Sequence, residues 1–174
     1  MKSILKFEIF STIFIFIMGT FLHFAYNLSN NNTIVGIFSS VNESTWEHLK
    51  LIFFPMTLTA IIGSIYFKNI YPNYLYVKTK AIVISMLFII FFYYIYTGIL
   101  GYNITLFNIS SFFIATIIGE YYTYKNINNV NYNNNSIILL LIIFILFIIF
   151  TFKPPHINLF IDPVTRTYGV NKDK

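Results

Sequence analysis

The chain reads as an all-α membrane protein, a polytopic bundle of about five transmembrane helices. Apolar residues make up 57% of its 174 residues and charged residues only 10%, against roughly 25% charged in soluble domains. The apolar residues gather in runs close to the about 20 residues a helix needs to cross a hydrocarbon core. Those runs are continuous. Barrel strands would alternate apolar and polar over about ten residues, and backbone groups in lipid must otherwise bond within their own segment, so the runs predict helices.

The first run covers residues 7–28 and follows Lys2 and Lys6. It is long for the apolar core of a signal peptide, and no small-x-small cleavage pattern follows His23-Phe24-Ala25-Tyr26, so it reads as a retained anchor. The second run, 49–67, is preceded by Ser44-Thr45-Trp46-Glu47, which has the spacing of a capping box; Ser40-Val41-Asn42-Glu43 repeats the pattern a turn earlier. Residues 81–100 and 105–124 form the third and fourth runs. The fifth, 136–152, is stopped by Pro154-Pro155. The asparagine-rich segment 126–135 reads as a polar loop without a recognition role. In the tail, 153–174, the turn signals Asp162-Pro163 and Tyr168-Gly169 flank apolar anchors such as Leu159 and Phe160, so the tail is expected to dock at the membrane face. With no internal repeat and short connections, residues 1–174 are expected to form a single integral membrane domain.

Charge orients the chain. Lys2, Lys6, Lys68, Lys78, Lys80 and Lys125 lie on one side of the predicted spans, whereas 29–48 and 101–104 contain no lysine or arginine. This places the N-terminus in the cytoplasm of a multi-pass cell-membrane protein. Lys153, Arg166, Lys172 and Lys174 in the tail run against that bias. The net charge of +5 is explained by topology and calls for no nucleic acid. Membrane lipid is the expected partner, with a homo-oligomer or a membrane partner protein as open alternatives. Absence of cysteine excludes disulfides, thiolate metal sites and cysteine nucleophiles.

Residues 40–50 hold the only tryptophan, two of six acidic residues and one of three histidines. An odd number of crossings brings this segment, the end of the first span with His23, and the tail to one face. Glu8 and Glu120 fall toward the other, with Glu120 in reach of Lys125. Glu43 and Glu47 share a face if their segment is helical. Such a pair can hold a hard cation, or divide into acid and base if their environments differ. His48 projects about 100° from Glu47, so one ion would need help from His23, His156 or Asp162. No His-Glu-x-x-His signature is present. The local alternative makes Glu43 or Glu47 a cap, Trp46 an interfacial anchor and Lys50 a snorkelling group or a partner of Glu47. Asp162 and Arg166 can pair with each other or with the glutamates. The candidate ligand-binding set is therefore His23, Asn42, Glu43, Trp46, Glu47, His48, Lys50, Asp162 and Arg166, with a divalent metal compatible with it.

Leu22-His23-Phe24-Ala25-Tyr26, Val41-Asn42-Glu43-Ser44-Thr45-Trp46-Glu47-His48-Leu49-Lys50 with Phe54-Pro55, Leu159-Phe160-Ile161-Asp162-Pro163 and Tyr168-Gly169 together resemble an uncharacterised family of small bacterial integral membrane proteins, a domain of unknown function. The resemblance spans most of the chain and implies a multi-span membrane protein; it carries over no activity. The expected function is binding of a small ligand, ion, lipid headgroup or protein partner at the polar face. The alternative is a metal-assisted membrane hydrolase using Glu43, Glu47, His23, His48 and Asp162, with one glutamate as general base. A secondary transporter is disfavoured because neither an inverted repeat nor paired broken helices are visible.

Overall fold

Capping side chains set the helix starts that frame the polar face. Asn32 Oδ1 accepts from the backbone N–H of Ile34 at 2.9 Å and Val35 at 3.4 Å, and Ser44 Oγ accepts from Glu47 N–H at 3.3 Å, satisfying donors that a helix N-terminus leaves unpaired. The computed structural model describes residues 2–128 and 135–170. Among them are six helices: α1 Lys2–Leu28, α2 Thr33–Phe38, α3 Thr45–Tyr66, α4 Tyr74–Leu100, α5 Thr105–Asn126 and α6 Ser136–Phe152. The β-type pairing among the described residues is an isolated bridge between Ile161 and Tyr168. Residues 129–134 of the asparagine-rich loop and 171–174 of the tail lie outside the described residues.

The architecture is all-α. The short α2 was not expected in the segment 29–48, where six residues are too few to register as a span; it stands on its Asn32 cap and on burial of Gly36. α4 begins at Tyr74, ahead of the apolar run 81–100, because Lys78 turns inward and is fully buried. By length and apolarity, α1, α3 and α4 can each cross a membrane. α6 is apolar throughout but has 17 residues, and α5 carries Asn108, Ser110, Ser111, Thr116 and Glu120 in its 22.

α1, α3, α4 and α5 pack as a ring in which α1 touches α3, α3 touches α4, α4 touches α5, and α5 returns to α1; α6 packs against α3 and α4, and α2 against α1, α3 and α6. Ile15, Leu49, Ile52, Phe53, Met56, Ile82 and Phe147 fill the centre. Large apolar side chains also cover the exterior, including Ile17, Ile65 and Ile99 at 64%, 72% and 78% exposure, an arrangement suited to lipid as solvent. Pro55 inside α3 has no N–H for the Leu51 carbonyl one turn earlier. Gly19 of α1 sits against that carbonyl: a Cβ there would come within 2.7 Å of Leu51 O, so the missing side chain permits the close α1–α3 approach.

At the end of the bundle holding the N-terminus of α1, Glu120 meets Lys78 rather than the expected Lys125. Lys125 instead places its ammonium 5.7 Å from the centre of the Tyr121 ring. The pairing lies 42 residues away in sequence, so local spacing did not reveal it.

Candidate functional site

The segment between α2 and α3 is not helical, so Glu43 and Glu47 do not share a helix face. The capping box at Ser44 is half formed. Ser44 Oγ receives Glu47 N–H, but Ser44 N–H goes to Asn42 Oδ1 at 2.9 Å. The second box does not form: Ser40 Oγ donates to His23 O at 3.4 Å, and Glu43 N–H donates to Asp162 Oδ2 at 3.4 Å.

These departures separate two sites. Glu47, 2% exposed, is turned inward, where Oε2 accepts from Lys50 Nζ at 2.7 Å and Val41 N–H at 3.1 Å while Oε1 accepts from Thr151 Oγ1 at 2.9 Å. Lys50 also donates to the carbonyls of Gly36 at 2.8 Å and Ser39 at 3.2 Å at the end of α2. Lys50 therefore caps carbonyls that the helix end leaves unpaired, and it does not snorkel. Both side chains are enclosed and their bonds are made within the protein.

Glu43 points outward and meets two histidines. Its Oε2 lies 3.4 Å from His48 Nε2 and its Oε1 3.9 Å from His23 Nε2. The imidazole centres are 5.3 Å apart, and one donor atom from each of the three residues lies within 4.8 Å of the others. Their environments orient them. The Nδ1–H of His48 donates to Ser44 O at 2.9 Å, because a carbonyl can only accept. Ser40 Oγ lies 3.5 Å from His23 Nδ1 and 3.4 Å from His23 O. Both Nε2 atoms face the Glu43 carboxylate. In neutral His48 the Nε2 lone pair would repel the carboxylate oxygen it meets, so the arrangement calls for a proton or a metal cation between them. The hydrogen bond with His48 holds the Glu43 carboxyl below the usual carboxylate range, against the opposing effect of partial burial.

The other expected residues serve the frame. Asn42 Nδ2 donates to Gly169 O at 2.9 Å, clasping the tail. Trp46 N–H donates to Leu159 O at 3.0 Å, and its indole packs on Phe147, Phe150 and Phe160 with ring centres 4.9–5.4 Å away. Its Nε1 is buried without a hydrogen-bond partner. Asp162, 4% exposed, accepts from Val164 N–H at 2.7 Å and Thr165 N–H at 3.1 Å, as an aspartate before proline does in a turn. Arg166 is exposed and holds φ at 61°; it bonds to Asp162 through the backbone, Arg166 N–H to Asp162 O at 2.9 Å, and their side chains form no ion pair among the described residues. His156 stacks on Tyr168, ring centres 4.6 Å apart. Glu47 is thus engaged away from the His23–Glu43–His48 cluster and Asp162 meets it only through the Glu43 backbone N–H, so the five-residue hydrolase centre does not assemble.

Sequence reasoning missed the wall of the site. Beside Glu43 and His48 opens a crevice lined by Tyr93 of α4 and by Asn108, Ser111 and Phe112 of α5. The signal was Asn108 and Ser111, polar residues inside an apolar run. Tyr96 OH lies 2.5 Å from Asn108 Oδ1 and 2.7 Å from Asn103 Oδ1, so its one proton ties it to that wall.

No curated protein and no solved structure matches the chain. A family model matches residues 1–170, and the chain accordingly belongs to the family of unknown function DUF6512.

Proposed function

We propose that this is a multi-pass membrane protein that binds one divalent transition-metal cation through His23, Glu43 and His48 at a single membrane face. The observation that carries the reading is the convergence of both Nε2 atoms on one carboxylate, with His48 Nδ1 directed to the Ser44 carbonyl and His23 Nδ1 beside the Ser40 hydroxyl. Two imidazoles and a carboxylate suit zinc, iron, nickel or copper better than calcium or magnesium. Three protein ligands also leave a coordination position open toward the crevice, where a small ligand can enter.

Tetrahedral zinc with bonds of about 2.0–2.1 Å needs its donors roughly 3.3–3.4 Å apart. The separations here are up to 4.8 Å, so binding draws the two imidazoles and the half-exposed Glu43 closer together. The cation competes with the proton that otherwise joins His48 to Glu43, so affinity rises with pH. The remaining topology belongs to the same proposal: α1, α3, α4, α5 and α6 cross the membrane, with lipid around them and the N-terminus in the cytoplasm.

Calorimetric titration of purified, detergent-solubilised protein with Zn2+ tests the site. One ion per chain is expected, with binding abolished by Glu43→Gln and by His23→Ala but kept in Asp162→Asn. Absence of binding by the wild type, or its persistence in Glu43→Gln and His23→Ala, overturns the proposal. A cysteine placed at Asn31 tests the topology, because the native chain has none; labelling only after the cytoplasmic face is opened reverses the orientation.

A further inference from the structure

A second group of buried charges joins three helices near the other end of α1. Glu8 of α1, Tyr74 and Lys78 of α4 and Glu120 of α5 are 3%, 0%, 0% and 3% exposed. Glu8 and His23 are 15 positions apart on α1, roughly 22 Å at 1.5 Å per residue. Gly119 shapes the junction: a Cβ there would collide with Ser85 Oγ of α4, so glycine lets α5 close on α4 and bring Glu120 to Lys78.

The donors do not match the acceptors. Tyr74 OH donates to Glu8 Oε1 at 2.8 Å, Lys78 Nζ donates to Glu8 Oε2 at 2.6 Å, and the same ammonium donates to Glu120 Oε2 at 2.5 Å. Glu120 Oε1 is buried without a partner. Charge shows the same shortfall, since two carboxylates and one ammonium leave one uncompensated negative charge in an apolar bundle. The Glu47–Lys50 site provides an internal control. There one carboxylate meets one ammonium and both its oxygens are bonded.

Buried carboxyl pairs resolve such an imbalance by sharing one proton. We infer that Glu8, Lys78 and Glu120 form a binding site for a single proton, carried on the Glu120 carboxyl group. Placing it there neutralises the cluster and spares the apolar bundle an unpaired carboxylate charge. The groups facing Glu120 are Glu8 from α1 and Tyr74 and Lys78 from α4. From α3, Gly63 and Phe67 meet the Tyr74 ring, and neither titrates. Removal of the proton places net charge where α1, α4 and α5 join, so those helices are the ones its binding and release control. This site is independent of the proposed metal site.

Infrared spectroscopy of the intact, detergent-solubilised protein tests the inference, because a protonated carboxyl has a carbonyl stretch distinct from carboxylate and shifts in deuterium oxide. The wild type is expected to show the intensity of one protonated carboxyl per chain at neutral pH, and Glu120→Gln to lose it while remaining folded. Lys78→Met, which removes the ammonium and leaves two facing carboxyls, is expected to increase the intensity about twofold. No protonated-carboxyl band in the wild type overturns the proposal whatever the variants do. So does a band that survives in folded Glu120→Gln.

Discussion

Lys50 and Glu47 form a buried ion pair, Nζ to Oε2 2.7 Å, with side-chain exposures of 0% and 2%. They stand three residues apart on α3, yet their other bonds tie together α2, the loop before α3 and α6. The pair consequently holds the geometry in which Ser40 and Glu43 meet His23.

Removing one partner should be severe, because it strands a charge in a low-dielectric interior. Lys50→Met is expected to lower stability by about 3–5 kcal/mol. Joint replacement by apolar residues often rescues a buried ion pair, but here it should not restore the wild-type value: Gly36 O, Ser39 O, Val41 N–H and Thr151 Oγ1 would all lose bonds. Reversible unfolding of Lys50→Met and of Glu47→Leu with Lys50→Met checks this; a double variant as stable as wild type would contradict it.

The helical class was legible because continuous apolar runs allow few other structures in lipid. Crossing parity also indicated how His23 can approach Glu43 and His48, although they are separated in sequence. The capping pattern, by contrast, was a poor guide to Glu47: its match to Ser44 is local, whereas Thr151, which binds its carboxylate, is 104 residues away. No periodicity encodes that contact. α2 escaped notice because its cap lies in an asparagine-rich stretch whose composition resembles an ordinary loop.

Glu47 and Asp162, expected from sequence to be candidates for one cluster, share no hydrogen-bond partner among the described residues. The substitutions Glu47→Gln and Asp162→Asn should therefore be additive in unfolding free energy to within about 0.5 kcal/mol, as separated sites are. Glu43→Gln with His48→Ala should instead be non-additive, since those side chains meet directly. Two double-mutant cycles distinguish the cases; strong coupling between Glu47 and Asp162 would require a contact that this structure lacks.

The single tryptophan reports on the tail. Trp46 is enclosed by Phe147 and Phe150 of α6 and Phe160 of the tail, and its backbone N–H bonds to Leu159 O. Phe160→Ala should cost about 3–5 kcal/mol as a large-to-small change at a buried position, and it should shift Trp46 emission to the red as water reaches the ring. Asn42→Ala, which removes only the clasp to Gly169 and an acceptor for Ser44 N–H, should produce a smaller shift. Fluorescence of the folded variants at equal detergent concentration checks the order; unchanged emission in Phe160→Ala would mean that the tail does not shield the indole.

Acid should loosen this face through Glu43. Its carboxyl is held below the ordinary range chiefly by the hydrogen bond with His48, so the folded protein releases this proton more readily than the unfolded chain. The resulting stabilisation is fully present above the unfolded carboxylate value, about 4.3 for glutamate, and is lost as pH falls through the lower folded value. Glu43→Gln removes the titrating group and should flatten that part of the profile, while Glu43→Asp should retain a dependence with weaker contacts to His23 and His48. Unfolding midpoints of detergent-solubilised, metal-free protein from about pH 6 down to pH 3 supply the measurement. If wild type and Glu43→Gln lose stability in parallel over that interval, Glu43 is not the group linking acid to this face.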